Sequence, residues 1–139
     1  MSTSDIKFNR QRLFVVSLIY FLIVNISVLF EKIYYLFSHG VESVFFRYLF
    51  CYPLACFAVF VSLSLFVPKI RLLRLYRVFF NFLNSGVALM MTGNILRGVL
   101  DIAGSDSPYI PYFWIFGAVF IENAILVILV NAIYQPHVD

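Results

Sequence analysis

One acidic side chain stands deep inside a long apolar run of the sequence, where its type and position could do chemistry. Glu122 lies within the run from Tyr112 to Tyr134, about 15 Å along a helix from the start of that run. A charged carboxylate near the middle of a bilayer is costly, so Glu122 is expected to be neutral or paired. It is either a functional-site residue or a structural hydrogen-bonding group.

Arg97 stands near the end of the preceding run and is the predicted partner of Glu122. We expect the two to interact directly or through one water, with Asn94 and Asn123 completing an intramembrane polar site. In the alternative, Arg97 pairs with Asp101, one turn further along its helix, and Glu122 is protonated. Five amides in the apolar runs are also read as interhelical hydrogen-bonding groups: Asn25, Asn81, Asn84, Asn94 and Asn123.

A second group of polar residues is predicted to gather at one end of the helices. Its members are Glu31, Arg47, Asp101 and His39. In an antiparallel bundle the helix ends that carry them are adjacent. They form either a ring that fixes the depth of the helices in the membrane or a polar pocket at the outer face. Such a pocket would be capped by the loop that holds His39 and by the loop over 104–108.

Motifs of known catalytic, cofactor or metal sites are absent from the sequence. Cys51 and Cys56 point about 140° apart on a helix, so they neither form a disulfide with each other nor share a metal. There is no C-x-x-C redox pair, and no histidine inside an apolar run to ligate a haem. The H-E-x-x-H, G-x-S-x-G and phosphate-binding glycine motifs are missing too. We therefore predict no enzyme, cofactor or metal site.

The elements that must position these residues are four apolar runs. Of the 139 residues, 63% are hydrophobic and 12% charged, and the mean hydropathy is +0.94, whereas a soluble domain carries about 25% charged residues. Each run is about as long as the roughly 20 residues that a helix needs to cross a bilayer. The sequence predicts one all-α domain over 1–139, an antiparallel four-transmembrane-helix bundle. Its spans are expected at about 13–31, 45–67, 76–100 and 112–134, with an interfacial turn or short helix over 33–44.

Small residues form stripes on the third and fourth predicted helices, where they allow close helix packing. The stripes are Gly86, Met90, Gly93 and Arg97 on the third helix, and Gly117, Ala124 and Asn131 on the fourth. Glu122 points to nearly the opposite side of its helix from Ala124. Because such stripes offer more packing surface than one small bundle needs, we expect a homo-oligomer or a membrane protein complex.

The distribution of lysine and arginine predicts the orientation. The segment before the first run holds three basic residues and the second loop holds four, whereas the first loop holds Lys32 alone and the third holds none. Basic loops remain cytoplasmic, so both termini and the second loop are predicted on the cytoplasmic side of the cell membrane. The second loop is suited to contact with anionic lipid head groups and is too short for a nucleic-acid site.

Several short motifs resemble those of a known group of proteins. Residues 38–43 (SHGVES) with 50–54 (FCYPL), and 84–86 (NSG) with 102–109 (IAGSDSPY), resemble small, uncharacterised four-helix membrane proteins from Gram-positive bacteria. The resemblance covers most of the chain from Ile33 to Tyr112. It implies a bacterial cytoplasmic membrane and the topology given above, and no activity. The small multidrug transporters share the size and helix count, but their essential carboxylate lies in the first helix, where this chain has none before Glu31.

Two functions of different classes follow from these features. The first is an accessory, regulatory or assembly subunit that acts through helix–helix interactions. The second is a small-solute or ion transporter or channel that uses Arg97 and Glu122. A water-filled path to Glu122 favours transport, whereas a dry Glu122 favours the subunit. An enzyme that acts on a lipid is the third class, and no motif supports it.

Overall fold

The computed structural model of the protein describes residues 3–67, 70 and 74–134, and this part of the chain is all-α. Its helices are α1 (Thr3–Phe37), α2 (Val44–Arg47), α3 (Cys51–Phe66), α4 (Tyr76–Ile102) and α5 (Ile110–Tyr134). Four helical segments are long and apolar enough to cross a membrane, with α2 and α3 together forming the second of them. The predicted helical class and the predicted number of apolar helices are thus confirmed.

The first helix continues beyond the end of its predicted span. Glu31 and Lys32 close the apolar run of the sequence, but α1 extends through them to Phe37, since both residue types are good helix formers. The chain then turns at His39 and Gly40, whose φ angles are 54° and 84°. Glycine adopts such an angle at little cost because it lacks a Cβ.

The second predicted span, 45–67, is divided into α2 and α3. Ser43 caps α2, because its hydroxyl accepts a hydrogen bond from the N–H of Phe45 at 3.3 Å. A turn over 48–50 then separates the two helices. Pro53 lies in the first turn of α3, where a missing N–H costs no helical hydrogen bond. The proline therefore marks the beginning of a helix and not the interior of one.

The helices pack as two pairs. The contact of α4 with α5 and that of α1 with α3 are the most extensive. The short α2 also packs on α4, whereas α3 and α4 meet only locally. Within the described ranges, the backbones of α1 and α4 do not meet, and the backbone of α5 approaches only that of α4. One side of α5 is therefore left without a neighbouring helix, and a gap lies between α1 and α4.

The buried core is formed mainly by α1, α3 and α4, with Ala124 of α5. Its largest fully buried side chain is Phe60 of α3, whose ring stacks on Tyr20 of α1 at a centroid distance of 5.4 Å. Cys56 is buried in the same cluster, whereas Cys51 is exposed, and both are free thiols. Cys56, buried among apolar side chains, acts as a small apolar residue of the core.

Candidate functional site

The contact between α4 and α5 is close because glycines form it. A Cβ added to Gly86 would lie 2.6 Å from Cγ1 of Ile121 and 2.8 Å from the backbone oxygen of Gly117. A Cβ added to Gly93 would lie 2.9 Å from Nε1 of Trp114. At Gly86 there is no room for a larger residue, because the backbone oxygen of Gly117 cannot rotate away as a side chain can. At Gly93 the obstacle is the Trp114 ring, which is held by its hydrogen bond to Asn94. Three of the four predicted packing residues therefore lie in this contact.

The fourth predicted packing residue, Ala124, is fully buried on α5. Glu122 lies on the other side of the helix and is exposed. It stands at the centre of α5, as far from Ile110 as from Tyr134. In the part of the chain that the structure describes, its carboxylate has no ion pair and no hydrogen bond.

Apolar side chains surround Glu122 on the same face of α5. With it they form what we call the exposed face of α5: Ile115, Val119, Glu122, Leu126 and Leu129. The four apolar members are between 44% and 56% exposed. This face points away from α4, whose backbone packs closely on α5. It combines a large apolar surface with a single carboxylate at mid-helix.

Arg97 does not meet Glu122, contrary to the prediction. Its guanidinium forms an ion pair with Asp106 in the loop between α4 and α5. Glu122 lies two residues after Phe120 on α5, and the ring of Phe120 contacts Phe82 of α4. Glu122 is therefore level with the part of α4 near Phe82, which is about 20 Å along that helix from Arg97. The two side chains cannot span that distance. The alternative pairing of Arg97 with Asp101 does not form either.

Asn94 is buried and links three helices. Its Oδ1 accepts a hydrogen bond from Nε1 of Trp114 on α5 at 3.0 Å, and a longer one from the hydroxyl of Tyr52 on α3 at 3.3 Å. The Trp114 ring is held in turn by stacking on Phe45 of α2 at 5.8 Å. Asn94 is thus a structural hydrogen-bonding group in the core and not part of a site with Arg97.

The other amides differ in their roles. Asn84 of α4 accepts a hydrogen bond from the hydroxyl of Tyr20 on α1, so it joins two helices. Asn123 and Asn25 each donate at 2.7 Å to a carbonyl one turn back in their own helix. The interhelical role predicted for these last two is therefore not observed. The four residues predicted as one intramembrane polar site lie in separate environments.

The charged group predicted at one end of the helices is only partly assembled. Arg47 pairs with Glu42, which the prediction did not include, and Glu31 pairs with its neighbour Lys32 at 3.2 Å. Glu31, Glu42 and Arg47 line one cavity of about 250 Å³. Acidic and basic side chains do meet there, but each is already neutralised by a neighbour close in sequence.

The remaining members of that group lie outside this cavity. Asp101 accepts a hydrogen bond from the Ser43 hydroxyl at 2.9 Å, and His39 is exposed in the turn after α1. The loop over 104–108 does not cap the cavity as predicted, since Ser107 and Pro108 line a different one beside Arg97. In the described ranges, no group of three His, Cys, Asp or Glu side chains is placed to hold a metal ion.

Two features of the structure were not predicted. Gly98 packs on α2, since an added Cβ would lie 2.7 Å from the Phe46 ring. A cavity of about 670 Å³ between α1 and α4 has Arg12, Arg74 and Arg77 in its lining. From the sequence, these arginines were orientation signals, and those of the second loop were also suited to anionic lipid head groups, but they were not expected to line one cavity. Their proximity depends on how α1 and α4 are placed, which no local pattern encodes.

The chain matches no protein-family model, no curated protein and no solved structure. The resemblance to small four-helix membrane proteins of Gram-positive bacteria stays a prediction.

Proposed function

We propose that the protein is a multi-pass protein of the bacterial cytoplasmic membrane. Its apolar helices cross the bilayer in antiparallel order, with both termini and the α3–α4 loop on the cytoplasmic side. The outward-facing surfaces support insertion, since large apolar side chains such as Leu22, Phe116 and Leu129 are at least half exposed, which suits lipid better than water. The basic residues of the N-terminal segment and of the second loop support the orientation.

Cysteine labelling tests this topology. In a variant without Cys51 and Cys56, single cysteines at Ser38 and at Ser105 are expected to react with a membrane-impermeant thiol reagent in intact cells. A cysteine at Arg74 is expected to react only after the membrane is opened, because the basic loop remains inside. Labelling at Arg74 in intact cells, with protection at Ser105, would mean the opposite orientation.

We further propose that the protein acts as an accessory, regulatory or assembly subunit through the exposed face of α5. The observation that carries this proposal is Glu122, a carboxylate at the centre of a long apolar helix, exposed on a face without a neighbouring helix. A charged side chain facing lipid at that depth costs about 2.5–3.5 kcal/mol or more. A partner helix that donates a hydrogen bond or carries a positive charge removes this cost.

The partner that suits Glu122 is a different membrane protein. All ten lysines and arginines of the chain lie outside the apolar runs or near their ends, and Arg97 is held by Asp106. A second copy docked through α5 would place Glu122 near another Glu122, and like charges oppose that arrangement. We therefore expect a partner helix with a basic or hydrogen-bond-donating side chain near mid-membrane.

Transport remains the alternative function, with less support from the geometry. Arg97 and Glu122 lie about 20 Å apart along the helices. The cavity beside Arg97 is lined by Phe45, Trp114 and residues of the α4–α5 loop and does not reach Glu122. Exchange of water at Glu122 in the membrane-embedded protein would favour transport.

Site-specific photo-crosslinking tests the proposed partner contact. A crosslinking amino acid at Leu126, one turn from Glu122, is expected to give a discrete protein adduct in native membranes. The same amino acid at Leu22, which is also exposed, on α1, is expected to give lipid adducts only. Glu122→Leu should abolish the adduct at Leu126. The matched control is Asn25→Leu, another change from polar to apolar at an exposed position, whose amide bonds only its own helix.

Thermal unfolding of the purified chain separates partner binding from an internal role. Because Glu122 has no partner in the described chain, Glu122→Leu is expected to leave the Tm unchanged or to raise it. A lower Tm would assign Glu122 a contact within the chain. An adduct that persists in Glu122→Leu contradicts the proposed partner, and an adduct of two copies of this chain would replace it with a homo-oligomer.

A further inference from the structure

The cavity between α1 and α4 exists because these two helices are held apart. Their backbones do not meet in the described ranges, and about 670 Å³ of space separates Val16 of α1 from Phe80 of α4. One turn further along each helix, the hydroxyl of Tyr20 donates to Asn84 and joins them. The cavity is thus a groove that is closed at one end by a hydrogen bond between the helices.

Three guanidinium groups line the opposite end of this groove. They belong to Arg12 of α1, to Arg77 of α4 and to Arg74, which precedes α4, and all three side chains are exposed. None has a carboxylate partner among the described residues, whose ion pairs all involve other basic side chains. Arg12 lies over the ring of Phe8 at 4.3 Å. Guanidinium groups without acidic neighbours attract anions, and their forked N–H donors match phosphate oxygens.

The rest of the groove wall is mainly apolar, although Tyr76 and Asn81 of α4 also line it. Val15 and Val16 form its α1 side, and Val15 is 53% exposed. Phe80 forms part of its α4 side, where the ring packs edge-on against Phe60 of α3 at 5.8 Å. Positive charge at one end and an apolar wall along the helices match an amphiphile with an anionic head. A free phosphate ion would leave the apolar wall without a function.

We propose that the groove between α1 and α4 binds one anionic phospholipid, with its phosphodiester at Arg12, Arg74 and Arg77 and an acyl chain along the apolar wall. Basic pockets between membrane helices are suited to such head groups, and the volume lies within the range of about 300–1,000 Å³ usual for ligand sites. The bound lipid fills the space where α1 and α4 do not touch. This proposal rests on the membrane insertion proposed above but is independent of the partner of α5.

Lipid titration of the purified full-length chain in neutral detergent tests this proposal. The probes are short-chain phosphatidylglycerol, phosphatidylcholine with the same acyl chains, and inorganic phosphate, and bound lipid is counted by native mass spectrometry. Phosphatidylglycerol is expected to bind one per chain and at least about tenfold more tightly than phosphatidylcholine. Removing each arginine, as in Arg74→Gln or Arg77→Gln, should weaken binding about fivefold. Arg77→Lys, which keeps the charge, should weaken it less.

Two further variants separate the groove from general surface charge. Val15→Trp fills the apolar wall without changing the charge, and it should also weaken phosphatidylglycerol binding. Arg47→Gln removes an arginine that is already paired with Glu42, and it should have no effect. Equal binding of the two lipids, or unchanged binding in the variant that lacks all three arginines, overturns the proposal. Inorganic phosphate that competes as well as phosphatidylglycerol would identify a site for soluble anions, which also overturns it.

The outcomes of the lipid titration can be distinguished from those of the experiments that test the proposed function. The titration uses the single purified chain, so its failure says nothing about the partner of α5. Loss of the adduct at Leu126 would likewise leave lipid binding unaffected. A failure of membrane insertion itself would appear in the cysteine labelling.

Discussion

Gly86→Leu is expected to destabilise the protein by about 3 kcal/mol or more, because it forces α4 and α5 apart. A Cβ alone at this position would lie 2.6 Å from Ile121 and 2.8 Å from the backbone oxygen of Gly117. Overpacking of this kind usually costs about 1–3 kcal/mol, and more where the backbone must move. Gly86→Ala should cost less than Gly86→Leu, because alanine adds only a Cβ and is a better helix former than glycine by about 1 kcal/mol. Denaturant unfolding in mixed detergent micelles measures both.

The neighbouring residue provides a matched control for Gly86. Ser85 lies on the same helix but is exposed, so Ser85→Leu adds comparable bulk without meeting α5. Its effect is expected to stay within about 0.5 kcal/mol, as for other surface changes. If Gly86→Leu and Ser85→Leu lower the free energy of unfolding by the same amount, the close approach of α4 and α5 does not hold the chain together.

The apolar helices could be predicted from the sequence because composition and length determine them. A run of about 20 apolar residues has few alternatives to a helix. The helix ends were less predictable. Glu31 and Lys32 end the first apolar run but not helix α1, because helical hydrogen bonding continues as long as the residues favour a helix. The break over 48–50 accompanies the packing of α2 on α4, a tertiary contact that hydropathy does not report.

The polar residues show where sequence reasoning fails and why. The pairing of Arg97 with Glu122 assumed a register between two helices that the sequence does not specify. Contacts at Gly86 and Gly117 set that register, and they leave Glu122 far from Arg97. Asp106 pairs with Arg97 instead, although its loop was predicted to cap a polar pocket at the outer face. Helical periodicity predicts on which face of its helix a residue lies, but not which neighbouring helix that face contacts.

The groove arginines illustrate the same limit over a longer distance. Arg12 and Arg74 are far apart in the sequence, and each fits the simpler role of an orientation signal. They line one cavity because α1 packs on α3 and not on α4. Tertiary placement turns two separate basic segments into one candidate site. Neither charge nor spacing in the sequence predicts that placement.

Asn94→Leu is expected to destabilise the protein by about 2 kcal/mol. The two side chains are similar in size, so the main change is the loss of an acceptor for Trp114 and Tyr52. A buried donor left without a partner costs about 1–3 kcal/mol, whereas hydrogen bonds between membrane helices average about 0.6 kcal/mol. The Trp114 bond at 3.0 Å carries most of the expected effect, because the Tyr52 hydroxyl is further away, at 3.3 Å. Unfolding in mixed micelles measures the change.

A double-mutant cycle with Trp114→Phe isolates the Asn94–Trp114 hydrogen bond. Each single variant strands one partner, so the double variant should be more stable than the sum of the two changes predicts by at least about 0.5 kcal/mol. Asn123→Leu is the matched control, because its amide donates to a carbonyl of its own helix, and it should change stability by less than about 0.5 kcal/mol. Strict additivity of Asn94→Leu and Trp114→Phe would show that the two side chains do not depend on each other. The link between α4 and α5 would then rest on the glycine contacts and on apolar packing such as that of Phe82 on Phe120, and Asn94 would be a buried amide whose other partner, Tyr52, holds α3 to α4.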